Sequence, residues 1–287
     1  MKQLTYALMS AAFALILLSS CSKFDWKHWK DKHHGKFLVP DCDAQRIYQD
    51  VEGGGIEVQM QKTYYSDGRV KKIGFYTFSA VSTDVYWHSF TLDYNIADRT
   101  VTITDSARGA AVLKAIFHPS GRLQRLERLQ GDTSSFADRT FEYSGGRLTN
   151  INSIWKTFND VETFTYDADG NIVRRVKSAD GGVTIAEDAI YTYGVAAAGR
   201  RQLYIPQFNY LVVVDPSMAL LEYLGWVDDF WPKNILISIE YVQPLPHEED
   251  YSDHVFDAGG KLTSYSIGSF VGGTKYIDWR CSSDKDK

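Results

Sequence analysis

The sequence predicts an all-β protein, an antiparallel meander of β-hairpins that curls into an open barrel or a curved sheet. Three observations predict this fold. Short segments rich in aromatic and β-branched residues recur along the chain, polar turns with glycine separate them, and the unit repeats about every 23–30 residues. Aromatic and β-branched residues favour pleated strands, and a short turn makes successive strands pair as antiparallel neighbours.

The N-terminus has the pattern of an exported lipoprotein. Lys2 precedes an apolar run over 7–18, which is too short for a permanent membrane helix but fits a signal-peptide core. The segment LSSC, which ends at Cys21, resembles the lipobox of bacterial lipoproteins, in which the cysteine is acylated and the chain is cut before it. We expect 1–20 to be a signal peptide and Cys21 to be lipidated. An ordinary secretory signal with a chance cysteine is the alternative.

Residues 21–40 are predicted to be the lipidated cysteine and a basic, flexible tether. Of the total charge of −5, residues 1–21 carry +1 and 22–36 carry +3, so the rest of the chain carries −9. The tryptophans and histidines of the tether leave contact with anionic headgroups or a metal ion open, although a solvated tether is the simpler interpretation. The acidic body argues against a nucleic-acid partner. Residues 41–287 then form a single β-repeat domain.

Two further cysteines predict a disulfide. Cys42 and Cys281 stand at the two ends of the domain, in an exported and therefore oxidising compartment. Closing a loop of that size stabilises a fold by roughly 5 kcal/mol in the chain-entropy model. Two free cysteines, or pairing with another protein, are the alternatives.

The repeat unit is an aromatic residue, a few small or acidic residues, a glycine, a polar residue and an aliphatic residue. Its clearest copy is FTYDADGNIVRRV at 164–176, and Gly121, Gly146 and Gly170 follow one another at 25 and 24 residues. Asp-Gly and Gly-Gly tolerate positive φ, which two-residue hairpin turns require. Further copies are marked by Gly68, Gly199 and Gly260, and a copy without glycine turns at Asp98.

Two features depart from simple strand alternation. RLQRLERLQ at 122–130 has leucines three apart, and we interpret it as a strand because the turn before it matches the other copies. Polar residues also occur on both faces of many strands, as at Arg174, Arg175 and Lys177. This favours a sheet that is wetted on both sides or an open barrel with a polar lumen.

One short helix is predicted near 215–225, as an insert between strands. Asp215 suits the N-cap, Pro216 the first helical position and Gly225 the C-terminal cap. Aromatic residues surround this helix over 204–231. If exposed, they form a stacking platform for a glycan or a groove for an apolar ligand; if buried, they form a small core under the helix. The candidate ligand-binding residues are Tyr210, Trp226, Phe230 and Trp231.

The repeat units resemble YD (RHS-type) repeats, most closely over Tyr166–Ile172. Together with the lipobox, the tether and a Lys-Asn-Ile strand start at 233–235, they resemble an uncharacterised family of Bacteroidetes envelope lipoproteins with a porin-like β-meander fold. The resemblance covers about 40–287. It implies a fold and a location in the envelope, and it transfers no active site.

The sequence predicts no catalytic residue, no metal site and no cofactor. The DADGN turn at 167–171 lacks the spacing of a calcium loop, and the ionisable cluster at 247–254 matches no standard ligand pattern. We interpret that cluster as a solvated loop. A hydrolase with an unrecognised site among Asp228, Asp229, His247 and Asp253 remains an alternative.

Taken together, these features predict a non-enzymatic, lipid-anchored protein of the cell envelope, in the outer membrane, with a structural or binding role. Its expected partners are the membrane, through the lipid, and another envelope protein or a glycan. The first alternative is a lipoprotein that binds a glycan or an apolar ligand through the aromatic insert 204–231.

Overall fold

The structure is a computed structural model that describes residues 42–51, 55–78, 85–129, 136–180, 184–197, 216–227, 234–243, 246–258, 260–268 and 273–281. These residues form sixteen strands and one helix. The predicted signal peptide and tether, 1–40, lie outside them. Within the described part, no helix is long and apolar enough to cross a bilayer.

The elements follow in chain order. They are β1 (Cys42–Val51), β2 (Gly55–Tyr64), β3 (Val70–Phe78), β4 (Val85–Asn95), β5 (Thr100–Asp105), β6 (Ala110–Phe117), β7 (Leu123–Arg128), β8 (Asp138–Ser144), β9 (Arg147–Ile154), β10 (Asn159–Tyr166), β11 (Ile172–Ala179), β12 (Thr184–Ala197), α1 (Pro216–Leu224), β13 (Asn234–Gln243), β14 (His247–Phe256), β15 (Leu262–Gly268) and β16 (Gly273–Cys281).

The strands form one closed antiparallel barrel. Each strand pairs with its neighbours in the chain, and β1 pairs with β16 to close the ring. The predicted all-β hairpin meander is therefore confirmed, and the barrel is closed rather than open. Closure removes the two free edges that an open meander would present to other chains.

The glycine of the repeat unit lies in a tight hairpin loop. Gly68, Gly121, Gly170 and Gly260 have φ of 93, 87, 95 and 75°. The Gly121 amide donates to the His118 carbonyl, and the His118 amide donates to the Arg122 carbonyl, each at 2.8 Å. Most of these loops therefore hold five residues rather than the predicted two, as between the paired Tyr64 and Val70. Gly145 and Gly146 alone form a two-residue turn in the described copies.

A β-bulge follows each of these turns. Phe117 pairs with Leu123 and Ile116 pairs with Arg125, so that Gln124 is the extra residue. The same shift occurs after the turns that follow Tyr64, Tyr143, Tyr166 and Phe256. In β7 the bulge buries both Leu123 and Leu126, although they are three residues apart. The strand interpretation of 122–130 is thus confirmed for β7.

Tyrosine hydroxyl groups connect successive hairpins. The Tyr143 hydroxyl donates to the Leu123 carbonyl at 3.0 Å, and the Arg122 guanidinium lies 5.3 Å from the centre of the same ring. Three further tyrosines donate to the aliphatic residue of the preceding hairpin, namely Tyr94 to Val70, Tyr166 to Leu148 and Tyr193 to Ile172. The aromatic, polar and aliphatic positions of the repeat are therefore explained by one contact between adjacent hairpins.

Helix α1 lies in the lumen. All nine of its residues are buried. Its Tyr223 packs on Phe75 of β3, and its Ser217 accepts a hydrogen bond from Arg139 of β8. Because these partners project inward from separate parts of the wall, the helix lies inside the barrel. The helix prediction is confirmed, and Gly225 caps it with φ of 64°; Asp215 lies outside the described residues.

Candidate functional site

The outer face of the barrel wall carries many charged residues among scattered exposed apolar ones, and the lumen is apolar apart from buried polar and ion-paired groups. Ile73, Leu92, Ile103 and Leu113 are fully buried inside. Exposed charged residues occur on strands around the outside, at Asp50, Lys71, Lys72, Asp93, Arg125, Glu142, Arg174, Glu240, Glu248, Asp250 and Asp253. A lipid-facing barrel has the opposite arrangement, with an apolar belt outside and a polar lumen. Charged side chains therefore interrupt the described outer face on many strands, where a lipid-facing barrel has a continuous apolar belt.

One part of the outer face is aromatic and only shallowly concave. A groove there is lined by Ile56, Val58 and Gln61 of β2, Tyr76 of β3 and Trp87 of β4, with Glu57 at its margin. Its volume is about 730 Å³. We call it the Trp87 groove. Tyr76 and Trp87 pair directly across strands, edge to face, with ring centroids 4.6 Å apart. Trp87 is 46% and Ile56 57% exposed. Ligand sites commonly have volumes of about 300–1,000 Å³.

Gly74, in the middle of β3, explains how Trp87 is placed. A Cβ at this position would meet Cζ2 of Trp87 at 2.3 Å, and the next two nearest atoms also belong to the indole. The indole therefore lies across the backbone of β3, where a glycine leaves room for it. The result is a large aromatic side chain held against the outer wall and still open to solvent.

Further rings lie beside the groove, across the seam between β16 and β1. Tyr48 stacks on Tyr276 with centroids 5.3 Å apart, and the Arg46 guanidinium lies 4.6 Å from the centre of the Tyr48 ring. Arg46 also pairs with Asp278 at 2.7 Å. Tyr48 is the direct partner of Val58 in the groove. The aromatic surface thus continues sideways over neighbouring strands.

A second candidate lies in the lumen, where ionisable groups are buried beside α1. Arg175 Nε donates to Glu162 Oε2 at 2.8 Å, and Arg175 Nη1 lies 4.0 Å from Glu187 Oε1. Lys177 Nζ lies 3.5 Å from Asp160 Oδ2. Glu162 and Glu187 are 1% and 0% exposed, so a substrate does not reach them. The predicted polar lumen is therefore partly correct, but its charges are ion-paired and enclosed rather than wetted.

The two glutamates of this cluster differ in pKa. Burial acts to raise the pKa of Glu162, but Arg175, Lys177 and Arg139 together hold it below its ordinary value. Burial raises the pKa of Glu187, and the attraction of Arg175 offsets this only in part. Glu162 is thus the carboxylate that needs Arg175, and Glu187 is the one that holds a proton more tightly when folded than when unfolded.

We expect Glu187 to make the fold less stable as pH rises. Because its folded pKa is raised, its stabilising contribution is complete below the unfolded pKa and is lost as pH rises through the folded pKa. Glu187→Gln removes this titration, so the variant gains stability relative to the native chain from acid to alkaline pH. Urea unfolding between pH 4 and 9 measures the difference. Glu240→Gln, on the outer face, serves as the control, and parallel profiles for Glu187→Gln and the native chain would contradict the assignment.

The predicted ligand-binding residues are only partly described. Trp226 is 6% exposed and packs edge to face on Phe117, with centroids 5.2 Å apart. Of the two interpretations of the aromatic insert, Trp226 therefore has the buried position. Tyr210, Phe230 and Trp231 lie outside the described residues, and so does Cys21. Their roles stay predictions.

The interpretation of 247–254 as a solvated loop is wrong. These residues belong to β14, which pairs with β13 and β15. Glu249 and Tyr251 are buried, and the Tyr251 hydroxyl donates to Glu249 Oε2 at 3.0 Å. Polar residues on both faces hid the alternation. Of the alternative hydrolase residues, His247 and Asp253 lie on this strand, whereas Asp228 and Asp229 are not described. The described residues hold no group of three or more potential metal ligands.

Cys42 and Cys281 lie directly opposite each other in the β1–β16 pair. Opposed residues of antiparallel strands have Cα atoms about 4.5–5.5 Å apart, within the usual range of a disulfide. The register therefore suits the predicted bridge, and the bridge itself stays a prediction.

Sequence reasoning missed the Trp87 groove. The available signal was Gly74 inside the strand pattern KKIGFYTF, followed in the next strand by Tyr86 and Trp87. A glycine within a strand indicates a bulge or the close approach of another group. The partner that approaches is known only once the register of β3 and β4 is known.

Known proteins resemble this chain in fold. No family model matches it, and neither does any curated protein sequence. Among solved structures, a porin-like protein from Bacteroides uniformis matches with a TM-score of 0.50 at 14% identity, over 85% of this chain and 99% of that one. The two chains share a fold. A porin-like protein from Bacteroides vulgatus matches with a TM-score of 0.49 at 11% identity, over 84% and 99% of the two chains.

The shared fold confirms the coarser part of the predicted resemblance, a porin-like β-barrel. The origin from YD repeats and the lipoprotein character are finer statements, and they stay predictions. At 14% identity the likeness concerns the arrangement of the strands and carries no ligand or transport activity to this chain.

Proposed function

We propose that this protein is a non-catalytic component of the cell envelope, held at the outer membrane by a lipid on Cys21, with a barrel that serves as a binding scaffold. The observation that carries the proposal is the distribution of side chains over the wall. Apolar side chains, α1 and ion-paired charged groups occupy the lumen, and exposed charged residues lie on strands around the outside. Such a wall does not suit burial in lipid, so an attached lipid is the means of membrane binding that fits it.

The occupied lumen supports a binding surface on the outside of the barrel. A sixteen-stranded barrel is wide enough to enclose a channel, yet here Tyr223, Ser217 and their neighbours occupy the space. The buried ion pairs around Arg175 join neighbouring strands of the wall and are enclosed. Contacts with an envelope partner would therefore use the outer face.

The Trp87 groove and the glycine loops lie toward opposite ends of the barrel. Cys42, at the start of β1, stands at the end of the glycine loops. Ile56 stands near the start of β2 and Trp87 near the start of β4, which puts the groove toward the other end.

Metabolic labelling with an alkyne analogue of palmitate tests the anchor. We expect the full-length protein to be labelled and to fractionate with the outer membrane. Cys21→Ala should abolish the label and release the protein, whereas Cys42→Ala should leave the label in place. A Cys21→Ala chain that still sediments with the membrane after a high-salt wash would overturn the proposed anchoring.

The aromatic insert gives a second candidate function. Tyr210, Phe230 and Trp231 remain candidates for binding a glycan or an apolar ligand, as the sequence suggests. Support for ligand binding among the described residues comes instead from the Trp87 groove, which is open and partly aromatic.

A further inference from the structure

We infer that the Trp87 groove binds a linear oligosaccharide. This inference deepens the proposed function, because it names the chemical class of partner for the outer face, and it rests on the proposal that binding takes place there. Four observations carry it: an exposed indole, the Gln61 amide beside it, a glycine that fixes the indole, and further aromatic residues on the neighbouring strands.

The chemistry of the groove suits a sugar. A pyranose ring has an apolar face of C–H groups and an edge of hydroxyl groups. Trp87 and Tyr76 offer aromatic surface for the face, and Gln61 offers an amide for the hydroxyl edge. A purely apolar ligand would cover this amide without replacing its hydrogen bonds to water, which is unfavourable.

The indole is fixed before any ligand binds. Glycine within a strand costs roughly 0.5–1 kcal/mol relative to alanine. Gly74 is not among the residues with positive φ, so the backbone itself does not require glycine there. A Cβ would instead collide with Trp87. The glycine thus keeps the platform in place, and a rigid platform loses little conformational entropy on binding.

The shape of the aromatic surface indicates a linear ligand. A row of side chains crosses five neighbouring strands, from β16 through β1 to β4. It consists of Tyr276, Tyr48, Val58, Tyr76 and Trp87. With strands about 4.8 Å apart, the row extends over roughly 19 Å. A row of that length is longer than one sugar ring and matches a chain that runs across the strands.

Titration calorimetry with linear hexasaccharides tests the inference. The full-length protein is held in a detergent without a sugar headgroup, and cellohexaose, xylohexaose, maltohexaose and chitohexaose are added in separate experiments. We expect at least one of them to bind and to change the tryptophan fluorescence. If none of the four binds, the inference is overturned.

Three variants locate the binding site. Trp87→Ala should weaken binding by about tenfold or more, because a central tryptophan commonly dominates such a contact. Gly74→Ala should weaken binding while retaining the tryptophan, since the new Cβ displaces the indole. Ile185→Ala, on β12, is the matched control, because Ile185 is 45% exposed but lies far from the groove in strand order. Full affinity in Trp87→Ala would overturn the assignment.

Two further measurements separate this inference from its alternatives. Cys21→Ala should bind the hexasaccharide as the native chain does, so failure of the anchor and failure of the groove are distinguishable. Binding of 1-anilinonaphthalene-8-sulfonate that is lost in Trp87→Ala, without any hexasaccharide binding, would assign the groove to apolar ligands and overturn the oligosaccharide proposal. Equal thermal unfolding of Trp87→Ala and the native chain confirms that the variant is folded.

Discussion

Replacing Cys42 by serine is expected to lower the free energy of unfolding by about 5 kcal/mol. Cys42 and Cys281 are opposed residues of the first and last strands. A bridge between them encloses almost the whole barrel in one loop, and long loops restrict the unfolded chain most in the chain-entropy model. The loss should appear equally in Cys42→Ser and in the reduced native chain.

The position of these cysteines means that the bridge would stabilise the closure of the barrel. The β1–β16 pair is the seam that closes the barrel, and it joins strands more than 200 residues apart. The register shifts between Ala44 and Arg46, beside the cysteines, so regular pairing is interrupted there. Beyond the shift, the Arg46–Asp278 ion pair and the Tyr48–Tyr276 stack support the seam. The disulfide would connect the two strands on the other side of the shift, at Cys42 and Cys281.

Peptide mapping by mass spectrometry without reductant should recover one peptide pair linked through Cys42 and Cys281. Urea unfolding with and without dithiothreitol then gives the energetic effect, with Cys21→Ala as the control for thiol changes outside the barrel. Identical unfolding of the native chain and Cys42→Ser in the absence of reductant would contradict the prediction.

The local part of this fold was predictable from sequence because local chemistry determines it. Gly121 and Gly170 mark hairpin loops through a backbone conformation that glycine tolerates best. The flanking aromatic and aliphatic residues mark strand ends through their contacts across hairpins. Gly225 marks the end of α1 for the same conformational reason. Each of these signals requires only a few neighbouring residues.

Closure and the contents of the lumen depend on contacts between distant residues, which is why the sequence left them open. The meander predicts that neighbouring strands pair, but nothing local indicates that β16 meets β1. The bulge in β7 likewise breaks the leucine spacing that alternation requires. In β14 polar residues face the lumen as well as the solvent, so its sequence does not alternate between apolar and polar residues. From the sequence alone, the segment is for this reason interpreted as a solvated loop.

Two adjacent arginines, Arg174 and Arg175, show why the sequence does not distinguish a buried polar residue from an exposed one. Arg174 is exposed and pairs with Asp188 through two hydrogen bonds of 2.8 and 2.7 Å. Arg175 is buried and pairs with Glu162 and Glu187. In the sequence they are two identical residues on a strand. Their different surroundings follow from strand alternation within a closed barrel.

This difference predicts the effect of removing either side chain. Arg175→Met should lower the free energy of unfolding by about 3–5 kcal/mol, because Glu162 is left as a buried charge without its main partner. Arg174→Met is the matched control, with the same change on the same strand. Its effect should be smaller, because the Arg174 side chain is half exposed and water reaches its side of the pair with Asp188. Urea unfolding at pH 7 compares the two variants, and equal losses would contradict the assigned roles.

The pH dependence of Arg175→Met separates a charge effect from lost packing. In the native chain the pKa of Glu162 is lowered, so its stabilising contribution is present above the unfolded pKa and is lost as pH falls. Without Arg175 the pKa of Glu162 should be higher than in the native chain, so the penalty grows as pH rises. The difference between native chain and variant should therefore be smallest near pH 4 and largest above pH 7. A penalty that does not change with pH would mean that Arg175 acts mainly through packing.

Glu162→Gln combined with Arg175→Met should lower the free energy of unfolding by less than the two single changes added together, because the glutamine leaves no charge to neutralise.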